Sequence, residues 1–546
     1  MFKKIINLYV FYKKSKNIKR YFENNLKSKK YSSNSIILIE FNAFFGSHGF
    51  FSLMSYKLTE KYSSNLIAFQ NYKLSGMSFK ESLFDKIKWI IGKKLGINLF
   101  GIYKSFGVKN FIKPYFQKKN KKFIENSYQD ILNKIQTKID ILKISVDEIP
   151  IGDLIYDGYL KLYGKSTLQI DSDDFKNYLY DFLTIFYFWK DYLNKNDVKC
   201  VVGVHARYAY GIIHRLAVYN NIKSLIIIEG KLYNLNKDIM HETSEYKLFK
   251  KIFSSFSESQ KYRYKKIATK YLNNRFSGKL GNEVKELVLN KSAYSNEFDI
   301  NNKILNNNKK IKILIATHSL GDASSFWGPG FFPDFYEWLI FLVNISKKTE
   351  YDWYIKDHPY TSDLKLAKSL DRTIQLSKDI LKQGKNFNYI DSNTTHNQII
   401  SEKIDFVLTV YGTVAMEYAY HNIPVIMATK NCPTSPYNFN IHPENISDYE
   451  NKLMNLKDQK IKINKEEVLE YFFMRYIFFD YDVFFENFSS FFDNKENNWD
   501  DVDTLNFLDF WSEKVDKKTI NNMIKKFDKF LDSNDYSMNI MYNKIL

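Results

Sequence analysis

Three short apolar runs, Ile311–Ala316, Trp353–Ile355 and Phe406–Val410, most constrain what this chain can fold into. Each stops in small or polar residues: Thr317-His318-Ser319, Lys356-Asp357-His358-Pro359 and Tyr411-Gly412-Thr413. Apolar runs without alternation read as strands buried on both faces, the pattern of a parallel sheet. Pro333-Asp334 opens a predicted helix over 335–346, and Ile423-Pro424-Val425-Ile426 reads as the next strand. A β/α repeat of this kind gathers its strand ends along one edge, where ligands sit in doubly wound sheets.

The third run carries the most information. Val414-Ala415-Met416-Glu417-Tyr418-Ala419 has helix-forming character, so strand, glycine turn and helix follow one another. That arrangement leaves backbone N–H groups and a positive dipole end at the edge, which suits phosphate. Gly412 and Thr413 are therefore candidate phosphate binders. Glu417, one turn into the helix, is a candidate acceptor from ribose or sugar hydroxyls, with an ordinary first-turn acid as its alternative. Lys356 and His358 are candidate donors to phosphate oxygens and Pro359 stiffens their turn; a solvated loop is the alternative. His318 and Asp322 face the same edge in this reading, or form a polar turn with no ligand.

The first half repeats the plan. Ser35–Phe41 reads as a strand leading into a glycine-containing loop with His48. Val198–Val204 is a buried strand ending at His205-Ala206-Arg207, and Ser224–Ile228 follows as another. His205 is a candidate base or a binder of acceptor hydroxyls, and Arg207 suits an acidic sugar or phosphate. His48 is a candidate contact to acceptor or donor. Structural packing is the alternative for all three. Asp153 and Asp157, four apart, share one face if Ile149–Asp157 is helical, and two such carboxylates invite an acid/base role. Favourable first-turn acids are the alternative.

The 546 residues accommodate two or three domains with full cores. We expect a basic helix at 1–32, a Rossmann-like domain at 33–235, a helical connector at 236–309, a second Rossmann-like domain at 310–462 and closing helices at 463–546. A net charge of +19 suits nucleic acid, anionic membrane or phosphorylated substrates. No zinc-finger spacing or aromatic RNA-binding signature accompanies it, so no nucleic-acid partner is expected. Cys200 and Cys432, the only cysteines, do not indicate a disulfide framework. Residues 1–30 hold ten Lys/Arg and one acid, and their apolar stretch is too short to cross a bilayer. This segment reads either as a basic amphipathic helix on an anionic leaflet or as a helix packed on the first domain. No Asp-x-Asp lies at a strand end, since Asp480-Tyr481-Asp482 falls in an aromatic helical region, so chemistry without a metal is expected.

THSLGDASS, FFPDFYEWL, WYIKDHP, VYGTVAMEYAYHNIPVI and, upstream, IPIGDLIYDGYLK together resemble bacterial glycosyltransferases that build capsular and other surface polysaccharides. Several families of the two-Rossmann (GT-B) type share a His-Pro turn and a Gly/Ser-Thr…Glu helix start, among them Kdo- and sialyl-transferring enzymes and polyol-phosphate polymerases. The resemblance covers about two thirds of the chain. It implies an α/β, GT-B-like fold with two facing Rossmann domains and C-terminal helices crossing back to the first. It further implies a nucleotide-sugar donor as substrate with no cofactor, a lipid-linked glycan acceptor, and a cytoplasmic enzyme at the inner-membrane surface. It tilts Asp153 and Asp157 towards function without assigning their roles. The alternatives are phosphoryl transfer from a cytidine nucleotide, a sugar-nucleotide epimerase on the same fold, and a non-catalytic scaffold of capsule assembly.

Overall fold

The computed structural model describes residues 2–41, 47–70, 83–97, 99–228, 230–279, 292–299, 301–357, 378–380, 382–459, 462–480, 484 and 501–541. In the first half the strands are β1 (Ile36–Glu40), β2 (Asn65–Phe69), β3 (Asn110–Ile112), the short hairpin β4 (Ser145–Val146) and β5 (Ile149–Pro150), then β6 (Val198–Gly203), β7 (Lys223–Ile228) and β8 (Lys231–Leu235). The second half supplies β9 (Lys312–Ala316), β10 (Asp352–Lys356), β11 (Phe387–Ile390), β12 (Phe406–Thr409) and β13 (Val425–Met427).

The first sheet runs β3-β2-β1-β6-β7-β8, parallel except for β8. The second runs β11-β10-β9-β12-β13, parallel throughout. In both, the chain starts mid-sheet, works outward to one side and then crosses to the other, the doubly wound order. Every residue of β1, β10, β12 and β13 is buried, which is why their central residues are apolar without alternation, polar side chains such as Glu40, Asp352 and Lys356 standing only at strand ends. The antiparallel β8 was not apparent in the sequence. It follows a reversal at Gly230, whose φ of +72° lies in the region that favours glycine.

The C-terminal helices return to the first domain. Helix Asp501–Lys514 packs along the N-terminal helix Phe2–Asn25, Lys517–Ser533 packs on His48–Lys61, and Met538–Met541 lies against β8. Trp511, Phe527 and Phe530 enter the core that holds Ile37, Ile39 and Phe51. Ion pairs from Lys57 to Asp528 (3.3 Å) and Lys61 to Asp532 (2.5 Å) flank that packing. Ile18 and Phe22 of the N-terminal helix, and Leu26 just after it, are fully buried in the same core, so over residues 13–25 this helix is packed on its domain. No helix among the described residues is long and apolar enough to cross a membrane. Cys200 and Cys432 are both buried and free.

Candidate functional site

At the C-terminal end of β6, Glu242 organises the first domain's edge. It is fully buried, and its carboxylate lies 3.1 Å from His205 Nδ1 and 3.4 Å from Arg207 Nε. Its second oxygen accepts from the Ala206 amide at 3.1 Å. Burial works to raise the Glu242 carboxyl, but Arg207 and the hydrogen bond from His205 outweigh it and hold the group well below the usual carboxylate range. Arg207 also donates to the Glu242 carbonyl (3.3 Å) and to Thr243 Oγ1 (3.1 Å). The result is an imidazole and a guanidinium fixed by one carboxylate at a strand end.

Around the end of β12 the second domain's edge is built from a ring, a hydroxyl and backbone amides. The His318 ring stacks on Phe335 at 4.8 Å and meets Tyr411 at 4.5 Å. Its Nε2 lies 3.3 Å from Thr409 Oγ1 and 3.4 Å from the Tyr411 amide that donates to it. Thr409 Oγ1 in turn accepts from the Gly412 amide at 3.1 Å. A Cβ on Gly412 would stand 2.9 Å from that oxygen and 3.7 Å from His318, so glycine keeps this turn tight. Thr413 is exposed at the start of helix Val414–Tyr420, where first-turn amides have no intrahelical acceptor.

The two edges meet. The loop after β9 carries Asp322 to the Tyr208 hydroxyl, which donates to it at 2.9 Å. Phe326 lies under the Arg207 guanidinium, 3.0 Å from ring centroid to Cζ. Trp327 Nε1 donates to the Thr243 carbonyl at 3.0 Å, and its ring lies 4.9 Å from Tyr411. Asp157, on helix Gly152–Tyr163, accepts from the Ser324 amide (3.2 Å), Ser324 Oγ (3.1 Å) and the Ser325 amide (3.2 Å). From the same helix the Tyr156 hydroxyl donates at 2.6 Å to Asp334, which caps helix Phe335–Ser346 as its position predicts. Tyr208 (φ +54°) and Thr243 (φ +58°) both hold left-handed backbone, costly for an aromatic and a β-branched residue. Such strain gathers where surrounding contacts over-determine it, typically at functional sites.

The structure therefore brings His205 and Arg207 together at one edge, His318, Gly412 and Thr413 at the other, and Asp157 at the seam. Several other candidates are occupied elsewhere. Asp153 forms a two-pronged pair with Arg215 (3.0 and 2.9 Å) and lies 3.4 Å from His241 Nε2. Burial opposes its charge, but Arg215 prevails and keeps the carboxyl below its usual range, a poor setting for a base. Burial also lowers His241 to about 4. His48 is fully buried, edge-on to Tyr103 at 5.5 Å, inside the first domain's core rather than at its edge. Lys356 is buried and donates to the Ser392 carbonyl at 2.6 Å, on the β11 side. Glu417 does not face the edge: Arg275 holds it through Nε and Nη2 (2.6 Å each), and the Tyr294 hydroxyl donates at 2.8 Å. His358 and Pro359 lie outside the described residues.

Sequence reasoning missed Glu242, Arg215 and Arg275. None has a motif around it, and the partner of each lies 35 or more positions away. Among the described residues no cluster of three or more His, Cys, Asp or Glu side chains is arranged to hold a metal ion.

The fold defines a class: two Rossmann-type domains facing one another, with C-terminal helices returning to the first, a GT-B-like architecture. No protein-family model and no curated protein matches the chain. Among solved structures it is similar to UDP-GlcNAc 2-epimerase from Neisseria meningitidis bound to UDP-GlcNAc, at 12% identity over 81% of this chain and 94% of that one, with a TM-score of 0.22. A similar likeness holds for the Methanocaldococcus jannaschii UDP-GlcNAc 2-epimerase in complex with UDP-GlcNAc and UDP (13%, 80% and 97%, TM-score 0.24). MurG of Acinetobacter baumannii also matches (10%, 91% and 99%, TM-score 0.18). Scores this low carry no argument, and the architecture stands on the two strand orders.

Proposed function

We propose that this chain is a glycosyltransferase moving a sugar from a nucleotide-sugar donor to a growing capsular or surface glycan on a lipid carrier. The observation that carries the reading is the meeting of the loops after β6 and β9, one bearing the carboxylate-held His205 and the other His318. Donor phosphates would lie against His318, Gly412 and Thr413, whose neutral donors stabilise charge gathering on the leaving nucleotide without reorganising. His205 would take the acceptor hydroxyl's proton from the opposite side. Glu242 orients its ring and stabilises the imidazolium that forms, the same division of labour as in other carboxylate–imidazole pairs. Arg207, already committed to Glu242 and stacked on Phe326, would position acceptor or donor oxygens. The capsular context and the lipid-linked acceptor rest on the sequence resemblance.

Calorimetry with UDP, GDP, CDP and CMP tests the donor half: one of them binds, and none binding overturns the reading. The chemical half is tested with the matching labelled nucleotide-sugar. His205→Ala is expected to lower transfer about 10²–10⁴-fold while leaving nucleotide affinity in place. Full activity in that variant removes His205 as the base. Movement of labelled phosphorus into product would instead establish phosphoryl transfer.

A further inference from the structure

Helix Leu83–Leu95 and the turn after it expose apolar surface that the site does not use. Ile87 (45%), Ile90 (62%), Ile91 (44%), Leu95 (67%) and Ile97 (45%) are five of the six exposed large aliphatic side chains among the described residues, the sixth being Ile446. Ile87, Ile90, Ile91 and Leu95 follow the i, i+3, i+4, i+8 spacing that puts them on one stripe. The opposite side is anchored: Trp89 packs edge-on against Phe41 (5.7 Å) and Phe100 (5.1 Å), and Gly92 lets Phe100 approach to 2.6 Å of where a Cβ would stand. The helix is therefore fixed to the first domain by one side and presents a continuous aliphatic ridge on the other. Ridges of this kind mark contact surfaces.

The rim identifies what the ridge meets. Lys86 and Lys88, both exposed, flank Ile87 about 100° to either side, and exposed Lys94 lies within the stripe. Lys19 of the N-terminal helix donates to the Gly96 carbonyl at 3.3 Å and ties that helix to the end of the ridge. Lys16 and Arg20, beside Lys19 in sequence, are exposed. A second copy of the chain would bring these cations against their own kind. An anionic bilayer would take the aliphatic ridge into its acyl boundary while lysine stems reach back to the headgroups. We propose that helix Leu83–Leu95, with the turn to Ile97, is the surface by which this chain seats on an anionic lipid bilayer. Ile18 and Phe22 of the N-terminal helix are buried in its own domain, so over its described side chains that helix offers charge through Lys16 and Arg20.

Co-sedimentation of the full chain with vesicles tests this directly. The wild type is expected to pellet with phosphatidylcholine–phosphatidylglycerol vesicles, to ignore pure phosphatidylcholine, and to release as salt rises. Ile90→Asp with Leu95→Asp should weaken partition about tenfold or more, since both lose apolar burial and add repelled charge. Lys86→Gln with Lys88→Gln and Lys94→Gln should weaken it less and flatten the salt dependence, with an unchanged circular dichroism spectrum. Wild type that ignores anionic vesicles, or acidic variants that pellet like wild type, overturns the proposal. So does a wild-type dimer that the Asp variants split while vesicles have no effect, which would make the ridge a protein interface.

Discussion

The two sheet edges that meet in this protein are built from opposite materials. The first domain holds full charges already neutralised in pairs, Glu242 with Arg207 at its edge and Asp153 with Arg215 away from it, and Glu242 also holds the His205 ring. The second edge, around the end of β12, is made of His318, Thr409 and the Tyr411-Gly412-Thr413 turn, which pass hydrogen bonds among themselves, with the carboxylates Asp322 and Asp357 elsewhere along it. Buried pairs fix geometry but have little attraction left for a ligand's charge, whereas an edge of neutral donors gains most when an anion arrives. The proposed division of roles, proton handling at the first edge and anion binding at the second, draws on this contrast.

Breaking a charged pair of the first domain should cost more stability than altering a neutral group on the second edge. Arg215→Met leaves Asp153 buried without its cation and should cost about 3–5 kcal/mol, read as a lower urea midpoint at unchanged slope. On the second edge, Gly412→Ala places a methyl 2.9 Å from Thr409 Oγ1. Accommodating it should cost about 1–3 kcal/mol, below the Arg215 value. Equal losses would erase the distinction between charged and neutral edges.

The strands of both sheets were mostly legible because the middle of a doubly buried strand must be apolar on both faces. The runs read over 311–316, 353–355 and 406–410 correspond to β9, β10 and β12 within two residues. The edge strands β3 and β8 were not, since Asn110-Phe111-Ile112 and Lys231-Leu232-Tyr233 carry no such run. The placement of the candidate site was half legible. His205, Arg207, His318 and Gly412 end strands, so topology alone sends them to the edge. The partners of Asp153 and Glu417 were not legible for the converse reason: a carboxylate's setting depends on its partner, and Arg215 and Arg275 lie 62 and 142 positions away. No local pattern encodes such pairings.

A finer division runs along helix Gly152–Tyr163, whose two buried carboxylates shift in opposite directions. Burial and the nearby Asp153 push the Asp157 carboxyl well above its usual value, whereas Arg215 holds Asp153 below. For Asp157, the raised folded value means its contribution is complete below the unfolded value of about 3.9 and is lost as pH rises through the folded one. For Asp153 the contribution is present above the unfolded value and is lost as pH falls through the depressed folded one. Asp157→Asn should therefore gain on wild type in urea midpoint between pH 4 and pH 7, by less than the Arg215→Met loss. A gap that stays constant across that range would mean the seam between the domains does not bury this carboxyl.

The smallest stability effect belongs to Thr413, and it separates a backbone role from a side-chain one. Its side chain caps nothing and is exposed, so Thr413→Ala should stay within about 0.5 kcal/mol of wild type. Nucleotide affinity should also hold, because the amide remains. Thr413→Pro removes that amide. The position's φ of −59° already suits proline, and no intrahelical bond is lost there. If the amide receives a donor phosphate, affinity should fall about tenfold or more, the worth of a hydrogen bond to a charged group, with the thermal midpoint nearly unchanged. Proline and alanine variants that bind alike, by calorimetry, would move the anion away from this turn and leave the neutral edge without its assigned ligand.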